Sequence, residues 1–233
     1  MGKKLARKTL TQASQKPQLK AEGIAKQIFS EVQGSKFRDE AKATMLFLGL
    51  VAAATAGRVA LQFVPSVEPI IPFAVLAGLL FGAREGFALG GSAYIMSNFF
   101  IWGLQGPWTV FQALGAGLAG MIAGFAGKAK KPTWVDLVVL SVLGTVLFEA
   151  IMNISGAFMG IGAGVFGLGL LAIPLYFLTS LPFSLVHIIS NVAFALALKP
   201  LLKWRKNHGF KAISFSRTNA GTTTSVRLYK SDD

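Results

Sequence analysis

The sequence predicts an all-α integral membrane protein, a single bundle of about six transmembrane helices, and three observations lead there. Of 233 residues, 53% are hydrophobic and 14% charged, and the mean hydropathy of +0.56 is far from that of a soluble domain. Long runs without Asp, Glu, Lys or Arg fill residues 43–204, and crossing a bilayer at about 1.5 Å per residue takes roughly 20 apolar residues. The basic residues avoid every second loop between these runs.

In chain order, the apolar runs and their turn residues predict helices over about 43–64, 69–83, 85–104, 109–127, 134–157 and 180–202. The second is short for a full span. The apolar, Gly-rich stretch from Gly160 to Leu171 either dips into the membrane or extends the sixth helix. Residues 1–42 form a basic segment. Within it, Ala21 to Lys42 reads either as an amphipathic interfacial helix or as a solvated leader drawn to anionic lipid. The first apolar run begins too late for the core of a cleavable signal, so none is expected. The basic tail, 205–233, reads as flexible.

Ten Lys or Arg precede the first helix, Arg84 separates the second and third, and Lys128, Lys130 and Lys131 separate the fourth and fifth. Eight more follow from Lys199, whereas loops 65–68, 105–108 and 158–179 have none. By the positive-inside rule both termini are expected in the cytoplasm. Trp102 and Trp108 then mark the outer interface, and Trp134 and Trp204 the inner one. The net charge of +13 is therefore a topology signal, and no nucleic-acid partner is expected. The chain has no cysteine, which excludes disulfides and thiolate chemistry.

Polar side chains inside spans are costly and mark candidate sites. Arg58 and Gln62, Glu149 and Asn153, and His187 and Asn191 form pairs at four-residue spacing, each pair on one helix face. With Asn98 and Gln112 they occupy the outer part of the predicted bundle, while Asp136 stands almost alone in the inner part. This asymmetry predicts a polar cavity open to the outside; the alternative is that these groups satisfy one another, for instance through an Arg58–Glu149 ion pair. On the first helix, Ala52, Ala56 and Ala60 form a small-residue ridge about 140° from Arg58 and Gln62, placed either to meet a partner helix or to pack within the bundle. No phosphate-binding loop occurs, Gly127-Lys128-Ala129 being the nearest approach. Neither a Gly-x-Ser-x-Gly elbow nor a metal-spaced histidine cluster is present, the two histidines being His187 and His208. Neither ATP hydrolysis nor other catalysis is expected of this chain, and no cofactor.

One ordered string of residues goes further. It runs through Gly57-Arg58-Val59, Pro65-Ser66-Val67-Glu68-Pro69, Gly78, Gly82, Gly86-Phe87 and Gly90. It continues with Ser97-Asn98-Phe99-Phe100, Gln105-Gly106-Pro107-Trp108-Thr109 and Gln112, then His187, Asn191, Phe194 and Lys199-Pro200-Leu201-Leu202. Over most of 50–205 it resembles the substrate-binding S components of energy-coupling factor transporters, closest to the cobalamin-associated branch. Ser66 stands where that family has Asn, Phe111 replaces its second Trp, and Trp102-Gly103-Leu104 alters the approach to the Gln-Gly-Pro-Trp loop.

The resemblance implies a capture subunit in a prokaryotic plasma membrane. Such a subunit binds a vitamin or precursor, cobalamin or a relative, from outside. It docks through its first helix on a transmembrane coupling subunit driven by two ATPase subunits. Arg58, Asn98, Gln105, Trp108, Gln112, Glu149, Asn153, His187 and Asn191 are then the expected substrate-binding residues, with loops 65–69 and 105–109 covering the site. Trp108 is placed either to lie on a planar ligand or to anchor at the interface. Competing expectations are a stand-alone carrier in which Glu149 and His187 relay a proton, and a membrane scaffold without transport.

Overall fold

A computed structural model of the protein describes residues 33–34, 37–101, 103–129, 131–159, 173–207, 213–217 and 224–228. The chain divides into two compact units, Met1–Met45 and Leu46–Asp233. Among the described residues there are six α-helices: α1 (Phe37–Ala60), α2 (Ile70–Phe81), α3 (Ala83–Ile101), α4 (Pro107–Ala129), α5 (Trp134–Met159) and α6 (Ile173–Asn207). Four of them, α1, α4, α5 and α6, are long and apolar enough to cross a membrane. Apart from two short strands in the tail, the described elements are all α-helices, in a bundle with the character of a membrane protein.

The second helix explains the bundle's plan. Its sequence, IIPFAVLAGLLF, is apolar on every side, and every residue except Phe73 is buried, as befits a helix hydrophobic all round. At 12 residues it is about 18 Å long, too short to span alone. It is enclosed by α3, α4, α5 and α6. Gly82 ends it at φ 124°, a backbone conformation open to glycine, and α3 starts one residue later.

Small residues set the distance between α2, α3 and α4. A Cβ on Gly120 would lie 2.3 Å from the Gly86 carbonyl oxygen, and one on Gly78 only 2.1 Å from that of Gly120. The backbones are in direct contact, which maximises dispersion where no hydrophobic drive separates helix from lipid. At the opening of α5, Thr133 Oγ1 accepts from the Asp136 amide at 3.3 Å while Asp136 Oδ2 accepts from the Thr133 amide at 2.8 Å, a reciprocal cap. Asp136, the one strongly polar residue expected in the inner part, thus closes a helix end.

Several boundaries differ from expectation. Pro107 opens α4 two residues early, because its fixed φ and missing N–H suit a first helical position. The first helix starts at Phe37 and stops at Ala60, leaving 61–69 as a loop. The sixth reaches back to Ile173 and on to Asn207, with Pro182 and Pro200 inside it. In the tail, Ile213–Arg217 (β1) pairs antiparallel with Thr224–Leu228 (β2), Ile213 opposite Leu228 and Phe215 opposite Val226. The alternation of apolar and polar residues in both segments favours a strand. The Gly160 to Leu171 stretch, and most of the expected amphipathic segment from Ala21 to Lys42, lie outside the described residues.

Candidate functional site

The loop after α1 folds back on itself through bonds from the Leu61 amide to the Gly57 carbonyl (3.1 Å) and from the Val64 amide to the Leu61 carbonyl (2.9 Å). Ser66 takes a left-handed conformation, φ 60°, and its carbonyl accepts from Ser190 Oγ of α6 at 3.2 Å. Two residues on, this reversal returns Glu68 to the helix it left. Glu68 Oε2 accepts from Arg58 Nε at 2.5 Å.

Arg58 uses its Nη1 donors on α3. Its Nη1 donates to Ser97 Oγ at 2.8 Å and to Asn98 Oδ1 at 2.7 Å, and its guanidinium lies 4.7 Å over the Tyr94 ring. Asn98, fully buried, donates in turn from Nδ2 to Thr109 Oγ1 (3.0 Å) and Gln112 Oε1 (2.7 Å) of α4. One amide therefore has both its donors and its acceptor engaged, which is what makes a buried polar group tolerable. Thr109 Oγ1 also accepts from the Gln105 amide at 3.0 Å, fastening the loop before α4 to the first turn of that helix.

A second arm starts from the same carboxylate. Glu68 Oε1 accepts from the Tyr94 hydroxyl and lies 3.5 Å from His187 Nε2. On the far side of the imidazole, His187 Nδ1 is 2.7 Å from Glu149 Oε1, and Ser184 Oγ donates to Glu149 Oε2 at 2.8 Å. The Tyr94 ring stacks on Phe148 at 5.3 Å, and Phe148 meets the His187 ring edge-on at 5.5 Å. Arg58, Tyr94, Phe148 and His187 thus form a layered column with Glu68 closing its side.

The expected site residues separate into three groups. Arg58, Asn98 and Gln112 form one arm and Glu149 with His187 the other, joined through Glu68. Asn191, fully buried, bonds instead to Thr145 Oγ1 of α5 at 2.8 Å. Asn153 is buried as well. Trp108 is half-buried, with its ring 3.7 Å from the position of a Cβ on Gly156 of α5, and the Gln105 side chain is exposed. Within each arm the polar groups bond one another, as the alternative to an open cavity has it, and Glu68 lies between the arms; Arg58 pairs with Glu68, where that alternative offered Glu149 as its example. Ala52, Ala56 and Ala60 are all exposed, while Leu50, Val51, Ala54 and Thr55 of the same helix are buried. The ridge faces away from the rest of its unit.

Glu68 and Tyr94 are the functional candidates that sequence reasoning missed. Glu68 had a signal: among the residues of 43–204 it is one of four acidic ones, with Glu85, Asp136 and Glu149, and it stands in a loop without Lys or Arg. A topology test that counts basic residues passes over it. Tyr94 is fully buried and carries no pattern that separates it from a core aromatic. No family model, no curated protein and no solved structure matches this chain.

Proposed function

We propose that the chain is the substrate-capturing membrane subunit of an energy-coupling-factor-type importer, taking a vitamin or vitamin precursor, cobalamin or a related compound, from outside the cell. The observation that carries this reading is the convergence of polar side chains from α1, α3, α4, α5, α6 and one loop on a single end of the bundle. Polar groups at that density are a costly arrangement in lipid, one expected only where something polar is handled. The exposed Ala52, Ala56 and Ala60 ridge supports docking of a transmembrane coupling subunit, since small residues let a second helix approach closely. Two ATPase subunits would supply the energy, as the sequence resemblance implies. Basic residues on alternate loops support six crossings of a prokaryotic plasma membrane with both termini in the cytoplasm.

Native mass spectrometry of the chain, purified from cells supplied with water-soluble vitamins including cobalamin, tests this. A retained vitamin-sized mass is the expected outcome. Repeated preparations without one would count against capture. A second reading, a stand-alone proton-coupled carrier, is favoured by the 2.7 Å contact between Glu149 and His187, the pair that such a carrier would use as its relay. Uptake in vesicles made from this chain alone would favour the carrier; uptake only with partner subunits favours capture.

A further inference from the structure

Three helices aim donors or a ring nitrogen at one carboxylate, and that carboxylate belongs to a loop. Arg58 of α1 and Tyr94 of α3 both donate to Glu68, and His187 of α6 approaches it from the third side. The receptors sit on helices packed into the bundle. The occupant sits on the 61–69 segment, which is held on the α6 side by the Ser190–Ser66 bond and contains the left-handed Ser66. A rigid receptor with a loop-borne occupant differs from an ion pair between two helices, because the occupant leaves by a loop rearrangement that leaves the receptor intact.

A separate observation points into the same space. His187 is 2% exposed, and its Nε2 has no hydrogen-bond partner, although Glu68 Oε1 is 3.5 Å away. A buried polar atom left unmet is costly. Glu68 fills the demand of Arg58 and Tyr94 but stops short of the histidine, as a tethered group of fixed length would. A free molecule has no such tether.

We propose that Arg58, Tyr94 and His187 form a carboxylate-binding pocket, that Glu68 is its internal occupant in this structure, and that the captured molecule carries a carboxylate that takes the place of Glu68. The last part rests on the capture reading above; the pocket itself does not. The fixed planar fork of Arg58 suits a carboxylate better than a point charge would. The Tyr94 hydroxyl adds a neutral donor to the same anion. Glu149, on the opposite side of His187, holds the imidazole in place through Nδ1, so that Nε2 faces the pocket, where it donates to a carboxylate when it carries a hydrogen. A cationic head group is disfavoured, since Arg58 would then face a like charge once Glu68 had moved away.

The test is the thermal stability of purified Glu68→Ala against sodium acetate, nicotinate and pantothenate, with acetamide, nicotinamide and panthenol as uncharged counterparts. The expected result is a saturable rise in melting temperature with all three carboxylates, none with the uncharged set, and loss of the response in the Arg58→Gln, Glu68→Ala double variant. No carboxylate response, or one confined to acetate, overturns the proposal. Acetate alone would mean only that the hole left by the deleted side chain had been refilled. Should Glu68→Ala fail to fold, Glu68→Ser, which vacates the same space and keeps a small polar group beside Arg58, carries the same test with the same outcomes. A positive pocket result together with no captured vitamin would overturn the capture reading alone, and a captured ligand with no carboxylate response would overturn the pocket alone.

Discussion

Arg58 and Glu68 are ten residues apart and joined at 2.5 Å, so the end of the first helix and the loop that leaves it are tied by a charge pair as well as by the close packing of Gly57 against Pro69. Their side chains are 12% and 15% exposed. Deleting one partner strands the other in a low-dielectric site. Glu68→Gln should therefore cost about 2 to 4 kcal/mol, somewhat below a fully buried pair. Replacing both, as Arg58→Met with Glu68→Gln, should recover part of that loss. Denaturation of both single variants and the double variant in one detergent checks this, and additive effects would show that the pair is not coupled.

Asn98 bonds Arg58, Thr109 and Gln112 at once. Asn98→Ala takes one bond each from Arg58 and Thr109, which keep others, and removes the donor to buried Gln112 Oε1, so it should cost about 2 to 3 kcal/mol. Under the capture reading it should also abolish ligand retention. Stability within about 1 kcal/mol of the wild type would mean that water or rearrangement replaces the amide.

Ser66 pays a steric penalty at φ 60° that asparagine, more tolerant of the left-handed region, reduces. Ser66→Asn should stabilise the fold by about 0.5 to 1 kcal/mol, read as a higher melting temperature. A drop would indicate that the serine side chain has a role of its own.

Gly120 and Gly49 make a paired test of helix contact. A Cβ at Gly120 lies 2.3 Å from the Gly86 oxygen, whereas one at Gly49 meets nothing within 4 Å. Gly120→Ala should destabilise by about 3 kcal/mol or more, since the obstacle is backbone and cannot turn aside. Gly49→Ala should gain about 0.5 to 1 kcal/mol of helix propensity. Equal effects at both sites would contradict the close approach of α3 and α4.

Ala56 is exposed on the ridge of α1, so Ala56→Trp should fold normally. Under the proposed function it blocks the coupling subunit, abolishing uptake while ligand binding persists. If binding is lost as well, the ridge is not a partner-facing surface.

The class of fold, the six helices and the separate faces of α1 were legible in the sequence, because each follows from local facts. A run of apolar residues without charge has few stable homes other than lipid or a core, and helical geometry fixes which side chains share a face. Ala56 exposed and Arg58 engaged on the other side is that geometry expressed. Of the polar pairs at four-residue spacing, Arg58, Glu149 and His187 meet around Glu68, whereas Gln62 is exposed and Asn191 bonds Thr145. What the sequence left open was pairing. Asn98 meeting Gln112, or Arg58 choosing Glu68 over Glu149, depends on how far apart the helices stand and where a loop turns back. Those distances come from glycine contacts such as Gly86 on Gly120 and from the reversal at Ser66, and they exist only once the chain is folded. Hydrogen bonds and ion pairs act over a few ångströms, so a residue's partner is a property of the tertiary structure, while its need for one is already written in the chain.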